Sequence, residues 1–334
     1  ALVDAISTSC NGYFCWGLYY MMGNRRKYHS VQDAMTTWRD YMVSMGFGYK
    51  LGIDLPGEKR GMIPNAEYYD RNYRGSWNGL TIISISIGQG EVTLTPLQIA
   101  NLGATIANRG YYYAPHVVRK VSGEPLDTAY TRRHVTKASR RAYDYVVAGM
   151  RSSALKGTCK HLAHYDFEAC GKTGTAQNRG HDHSVFMGFA PMNNPKIAIC
   201  VYVENGGWGA DYGVPIGGLM MEQYLHGKLS PASESQAAEM QKRRIGYGQR
   251  YANQPVKGKK GSKAAAKAAA DSAAAAKKAA ALAAAKQKAE LKAKQQADLK
   301  AKQKGKKGAK NKNNEAQRGK GIVPITIENH QGRR

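Results

Sequence analysis

The sequence predicts an α+β fold in which helices cover an antiparallel sheet. Segments with apolar residues at three- and four-residue spacing fill the first half of the chain. Three strand signals then follow in close succession, at 167–177, 184–190 and 197–204, and a helical segment at 212–226 closes the series. Pro191-Met192-Asn193-Asn194-Pro195 turns the second strand into the third, as in a hairpin. Helices and strands that segregate along the chain, instead of alternating, argue for a meander with helices packed on it. With 334 residues, 42% of them hydrophobic, there is enough apolar material for a substantial core.

Taken in order, residues 12–22 read as a buried helix that stops at Gly23-Asn24. Val31, Met35, Trp38, Met42 and Met45 give an amphipathic helix over 31–45, capped by Ser30 and ended by Gly46-Phe47-Gly48. A polar connection over 51–78 carries Tyr68, Tyr69 and Tyr73, and is expected to lack regular structure; connections of that length are often functional surfaces. Residues 81–87 alternate like a strand into Gly88-Gln89-Gly90. Thr95 as N-cap with Pro96 at the first helical position opens a helix through Asn108, and Gly110 stops it. Residues 138–155 form a further helix.

Composition divides the chain. From Val256 onward there are 22 Lys+Arg against 5 Asp+Glu, or +17, whereas residues 1–255 carry 28 against 19, or +9 of the total +26. Most of the basicity therefore belongs to a tail that is built over 262–304 almost wholly from Ala, Lys and Gln, with high helix propensity and little to bury. The expected division is a globular part over 1–229 and a low-complexity basic tail over 230–334. The apolar 322–327 is too short for a domain. Five cysteines without a C-x-x-C pair suggest neither a disulfide framework nor a zinc site, although one bridge stays open. The start at Ala1, inside an apolar helix-like stretch, is read as a truncation.

The chemistry concentrates at Lys172-Thr173-Gly174-Thr175-Ala176-Gln177. An anionic ligand terminus needs a cation and hydroxyl donors, and a glycine where its backbone must lie against a strand. Lys172, Thr173, Gly174 and Thr175 bring these together in one segment. With this string run, in order, Ser9-Cys10-Asn11, Gly52-Ile53-Asp54-Leu55-Pro56, Ile87-Gly88-Gln89-Gly90, Thr95-Pro96-Leu97-Gln98 and Phe186-Met187-Gly188-Phe189-Ala190-Pro191. On these collinear motifs residues 1–227 resemble the carboxyl-side part of the transpeptidase domain of class B penicillin-binding proteins, elongation type; the tail lies outside the match.

The resemblance implies a partial penicillin-recognising serine transferase, or β-lactamase-like, fold and a peptidoglycan D,D-transpeptidase inhibited by β-lactams. It makes Ser9 and Lys172 proton-relay and electrostatic groups, Asn11 an orienter, and Thr173, Gly174 and Thr175 the cradle of a substrate carboxylate. The Thr175 N–H is expected to be half of an oxyanion hole. Such families place a Ser-x-x-Lys nucleophile upstream of Ser-x-Asn, and only eight residues precede Ser9. This sequence is therefore expected to contain no nucleophile and to be inactive alone. The one Ser-x-x-Lys of the globular part, Ser153-Ala154-Leu155-Lys156, lies downstream and reads as a helix end.

No cofactor or metal is implied. His181-Asp182-His183 reads as a turn or strand entry, because the nearest further histidine, His164, sits beyond the Lys-Thr-Gly strand, and Gly88-Gln89-Gly90 lacks a phosphate-loop pattern. The partners implied are a peptidoglycan stem peptide, β-lactams, and a membrane-embedded glycan polymerase with other elongation-complex proteins. Localisation would be the inner membrane, facing the periplasm, with the anchor absent from this sequence. There the tail would meet anionic lipid or wall polymer and not nucleic acid. The competing readings are a β-lactam sensor or serine β-lactamase, and a non-catalytic basic protein binding wall polymer or nucleic acid on a degenerate scaffold.

Overall fold

The computed structural model describes residues 1–178 and 180–245; the Ala/Lys segment and 322–327 lie outside the described residues. The meander is present as expected. Strands β3 (Cys170–Ala176), β4 (His183–Ala190) and β5 (Ile197–Val203) form an antiparallel sheet in the order β3-β4-β5, and β1 (Tyr111–Tyr112) pairs with β2 (His134–Val135) in a separate ribbon. The register sets Lys172 opposite Met187 and Thr175 opposite Ser184, with Phe186 opposite Val201 on the other side of β4.

Helices cover both faces. Before the sheet come α1 (Leu2–Ser7), α2 (Asn11–Met22), α3 (Val31–Ser44), α4 (Ala66–Tyr73), α5 (Pro96–Ala107), the short α6 (Thr128–Thr131) and α7 (Arg140–Lys156). After it come α8 (Gly213–His226) and α9 (Pro231–Lys242). Strand alternation sends Phe189 and Cys170 into a core with Ile106, Met150 and Ile6, and sends Phe186 and Val201 into a core with Val214, Met221 and Leu162. The caps read from the sequence are in place. Ser30 Oγ accepts from the Asp33 N–H at 3.1 Å, and Thr95 and Gln98 exchange the two bonds of a capping box at 3.2 and 3.0 Å. Gln98, 1% exposed, also donates to the carbonyls of Gly46, Tyr49 and Arg60, so one side chain ties the end of α3 and the following loop to α5.

Four expectations meet a different structure. Residues 81–87 are not a strand: Ile83–Ile87 is a 3-10 helix. Ile82 and Ile85, three apart, are the buried pair, and Ser86 Oγ donates to the Ile83 carbonyl at 2.7 Å, a local bond that competes with strand pairing. The 51–78 connection contains α4, because Asn65 Oδ1 accepts from the Tyr68 N–H at 2.8 Å and Tyr69 is fully buried. The helix read as buried over 12–22 buries only Leu18 and Met22. Its surplus aromatics pack on one another, with Trp16 and Tyr20 stacked at 5.4 Å and Tyr20 67% exposed. Ser230, read as the start of the tail, is the N-cap of α9, and Ser233 in its first turn is buried. All five cysteines are free thiols.

Candidate active site

One edge of β3 is laddered to β4; the other has no strand beside it among the described residues. On that open side the Thr175 carbonyl accepts from Gln89 Nε2 at 3.2 Å, and the Thr173 carbonyl accepts from Lys172 Nζ at 2.8 Å. In an antiparallel strand the N–H and C=O of one residue point the same way. The N–H groups of Thr173 and Thr175 therefore also face the open edge.

Alternation places Lys172 and Gly174 toward one face and Thr173 and Thr175 toward the other. Lys172 Nζ donates to Ser9 Oγ at 2.6 Å, which joins the Ser9-Cys10-Asn11 motif to the Lys172 string across 163 positions of sequence. Ser9 has a φ of 54°, a left-handed conformation that costs a residue with a Cβ on the order of 1–3 kcal/mol and persists only where its surroundings over-determine it. The surroundings are those of α1, whose C-terminus is pinned to the corner after α7. The Thr158 N–H donates to the Ser7 carbonyl at 3.1 Å, and Ser152 Oγ donates to Ser7 Oγ at 3.1 Å. Gly157 lies so close to that same carbonyl that no side chain would fit. Asn11 is exposed in the first turn of α2.

Lys172 is partly buried, and burial lowers its pKa, opposed by its attraction to Cys159. Among the described residues no ion pair includes Lys172. Its charge is thus held by a hydroxyl and a carbonyl and left for an anion to neutralise. Thr173 Oγ1 donates to Thr158 Oγ1 at 2.8 Å, and Thr158 Oγ1 in turn meets Ser153 Oγ at 3.3 Å. The Thr173 proton is therefore committed inward, and Thr175 is the hydroxyl nearer the end of the strand. The buried Cys159 thiol is pushed up by burial, and Cys170 is pushed up by burial to about 12, so both stay protonated and unreactive near neutrality.

Ser153 of the downstream Ser-x-x-Lys is fully buried within α7, and Lys156 is exposed at its last position, so the two do not form a nucleophile pair. His183 Nδ1 accepts from the Asn205 N–H at 3.0 Å, and among the described residues no group of three or more His, Cys, Asp or Glu could hold a metal. Sequence reasoning did not single out Thr158 or the Gln89 side chain, and it read Ser153 only as part of a helix end. The available signals were Gly157-Thr158 directly after a helix and a polar side chain framed by two glycines at 88–90.

A short antiparallel sheet between helix layers, with a lysine reaching a serine at its open edge, agrees with the penicillin-recognising serine transferase fold that the resemblance implies. The family model for the penicillin-binding protein transpeptidase domain matches residues 1–222, and the chain belongs to that family. Among curated relatives it is 36% identical over 227 residues to peptidoglycan D,D-transpeptidase MrdA of Acinetobacter baumannii, covering 61% of this chain and 32% of the relative. It is 29% identical over 264 residues to the MrdA of Haemophilus influenzae, covering 72% and 39%. The chain thus spans well under half the length of the curated relatives it matches. Among solved structures it resembles Pseudomonas aeruginosa PBP2 in complex with WCK 5153, with a TM-score of 0.59, 30% identity, and coverage of 70% of this chain and 51% of that one. It also resembles the Helicobacter pylori PBP2 of a complex with MreC, with a TM-score of 0.54, 26% identity, and coverage of 68% and 40%. Among the described residues no helix is long and apolar enough to cross a membrane.

Proposed function

We propose that these residues form the ligand-binding half of a peptidoglycan D,D-transpeptidase of the elongation type, and that the β3 edge takes the D-Ala-D-Ala end of a stem peptide or a β-lactam. The observation that carries the reading is the 2.6 Å contact of Lys172 Nζ with Ser9 Oγ, made by a cation without a carboxylate partner among the described residues. In the reaction a serine Oγ adds to the penultimate D-Ala carbonyl, forming a C–O bond. The C–N bond to the terminal D-Ala breaks, and the serine proton reaches the departing amine through the Ser9 and Lys172 pair. An amine of a neighbouring stem then attacks the ester, the C–O bond breaks, and a proton returns to the serine.

The open-edge Thr175 N–H serves the oxyanion, a type of donor whose loss costs roughly 100- to 1000-fold in rate. Lys172 and Thr175 meet the substrate carboxylate. Thr173 joins them once its hydroxyl turns from Thr158, and Asn11 orients the peptide. Gly174 lets the ligand backbone approach β3. No Ser-x-x-Lys element precedes Ser9 in these residues, and on this reading the 334 residues alone bind the ligand without being acylated. The whole protein would act at the inner membrane, facing the periplasm, beside a glycan polymerase and elongation-complex proteins; the MreC complex of the Helicobacter pylori relative favours this.

The test is binding of a penicillin to the 334-residue chain, followed by calorimetry and by intact mass. Reversible binding without a mass increase, lost in Lys172→Met, is expected. Binding that survives Lys172→Met would sink the assignment.

A further inference from the structure

We propose that Gln89 occupies the ligand's hydrogen-bonding position on β3 while the site is empty, and that binding requires its amide to leave the Thr175 carbonyl. This rests on the reading of the β3 edge as the ligand-binding edge. An extended ligand that adds to a strand edge brings its own backbone N–H groups to the outward carbonyls. At β3 those carbonyls belong to Thr173 and Thr175. The first already accepts from Lys172 Nζ, so the second is the acceptor on which a ligand amide must register. Gln89 Nε2 holds that acceptor.

Two features suit Gln89 to yield. Its bond is 3.2 Å, at the long end of the N–H···O range, so a ligand N–H at ordinary distance displaces it without loss. Its mounting is also asymmetric. Gly90, with a φ of 70°, is packed so that a Cβ there would lie 2.6 Å from Ser84 Oγ, and the Gln89 N–H donates to the Ser84 carbonyl at 3.1 Å. Gly88, with a φ of 72°, has nothing within 4 Å of the position its Cβ would take. The backbone is fixed on one side and open on the other, which leaves the half-buried side chain free to swing toward the Gly88 side. An edge carbonyl capped in this way is also protected from pairing with another chain's strand.

The proposal gives a sign that a supporting role would reverse. A side chain that merely props up the end of β3 weakens binding when it is removed; one that competes with the ligand strengthens it. The experiment titrates the 334-residue chain with N-acetyl-D-alanyl-D-alanine and follows the Thr175 amide and the Gln89 side-chain NH2 signals by NMR. The comparison includes Gln89→Ala and Gln89→Met; the methionine keeps the length and packing of the side chain without its donor. Both variants are expected to bind about three- to tenfold more tightly than the parent, the worth of one net hydrogen bond. In the parent, the Gln89 NH2 signals shift in step with Thr175. Equal or weaker binding by Gln89→Met overturns the competition while leaving the edge as the ligand site. A parent chain that shows no saturable shift at Thr175 overturns the reading of the edge itself, and the competition with it.

Discussion

The core beneath β3 and β4 is shaped by missing side chains, whereas the core beneath α2, α3 and α4 is tied by polar ones. Phe186 is fully buried in space left by glycines on two strands and a helix. A Cβ at Gly171, Gly188 or Gly213 would lie 2.6, 2.5 or 2.8 Å from it, and one at Gly217 closer still. In the second core, fully buried Tyr69 donates its hydroxyl to Glu91 at 2.9 Å, and burial together with Glu91 pushes the phenol pKa up. Asp70 Oδ1 accepts from Gln32 at 3.0 Å and from the Trp77 indole at 2.6 Å. The difference assigns a task to each. Backbone held against an aromatic ring has no slack, and β3, which must present Lys172 and the Thr175 N–H at fixed places, is built that way. The second core holds Ile82 and Ile85 under the turn that leads to Gln89, and it is fastened by hydrogen bonds from buried Tyr69 and Trp77 to carboxylates.

The contrast can be broken most forcefully at Phe186. Phe186→Ala should cost about 3–5 kcal/mol in urea denaturation, because four glycines offer no side chain to fill the hole. A loss of less than about 1 kcal/mol would mean that the strand can collapse, and that the glycine-built core is no more rigid than the other. Gly217→Ala should cost about 1–3 kcal/mol by overpacking against the ring, although Ala is the better helix former by about 1 kcal/mol. A neutral or stabilising result would show slack around Phe186. Tyr69→Phe should cost about 0.5–1.5 kcal/mol, the value of its bond to Glu91, and leave ligand binding at β3 within about twofold. A larger loss of binding would show that the two cores are coupled.

The same contrast explains which parts were legible in sequence. The meander, the Ser30 and Thr95 caps and the segment 170–176 could be read because each depends on local pattern: alternation, a hydroxyl at an N-cap, a cation and hydroxyls in one string. The 3-10 turn over Ile83–Ile87 was misread because the alternation of Ile and Ser is also satisfied by burying Ile82 and Ile85 three apart. The helix at Ala66–Tyr73 was missed because its start rests on one asparagine and its stability on a buried tyrosine whose partner, Glu91, is 22 residues away. At the site, Ser9 and Lys172 were named, but the contact between them spans 163 positions and is fixed by Gly157 and Thr158 against Ser7. No periodicity encodes that corner, and the one local signal, Gly157-Thr158 directly after a helix, does not reveal the role of Thr158, which comes from what the fold brings to it.

The smallest effect lies at Lys172, where function and stability should part in sign. Burial holds the folded pKa of its ammonium below the ordinary 10.5. Between the folded value and 10.5 the unfolded chain therefore binds more protons at this residue than the folded one, and its contribution to stability rises with pH through that window. Below the window the charged, partly desolvated lysine is a burden on the fold that Lys172→Met removes. The variant should thus be as stable as the parent or slightly more so near about pH 7, and its advantage should shrink as pH rises toward the unfolded pKa, while anion binding is lost throughout. The measurement is the difference between the urea midpoints of parent and variant as a function of pH, since the other lysines, tyrosines and thiols titrate alike in both. A difference that stays flat, or that grows in the variant's favour with pH, would mean the lysine pays no desolvation cost. The edge of β3 would then hold its cation as comfortably as a solvated surface does, and the open Lys172 charge would lose its standing as the feature that draws an anionic ligand.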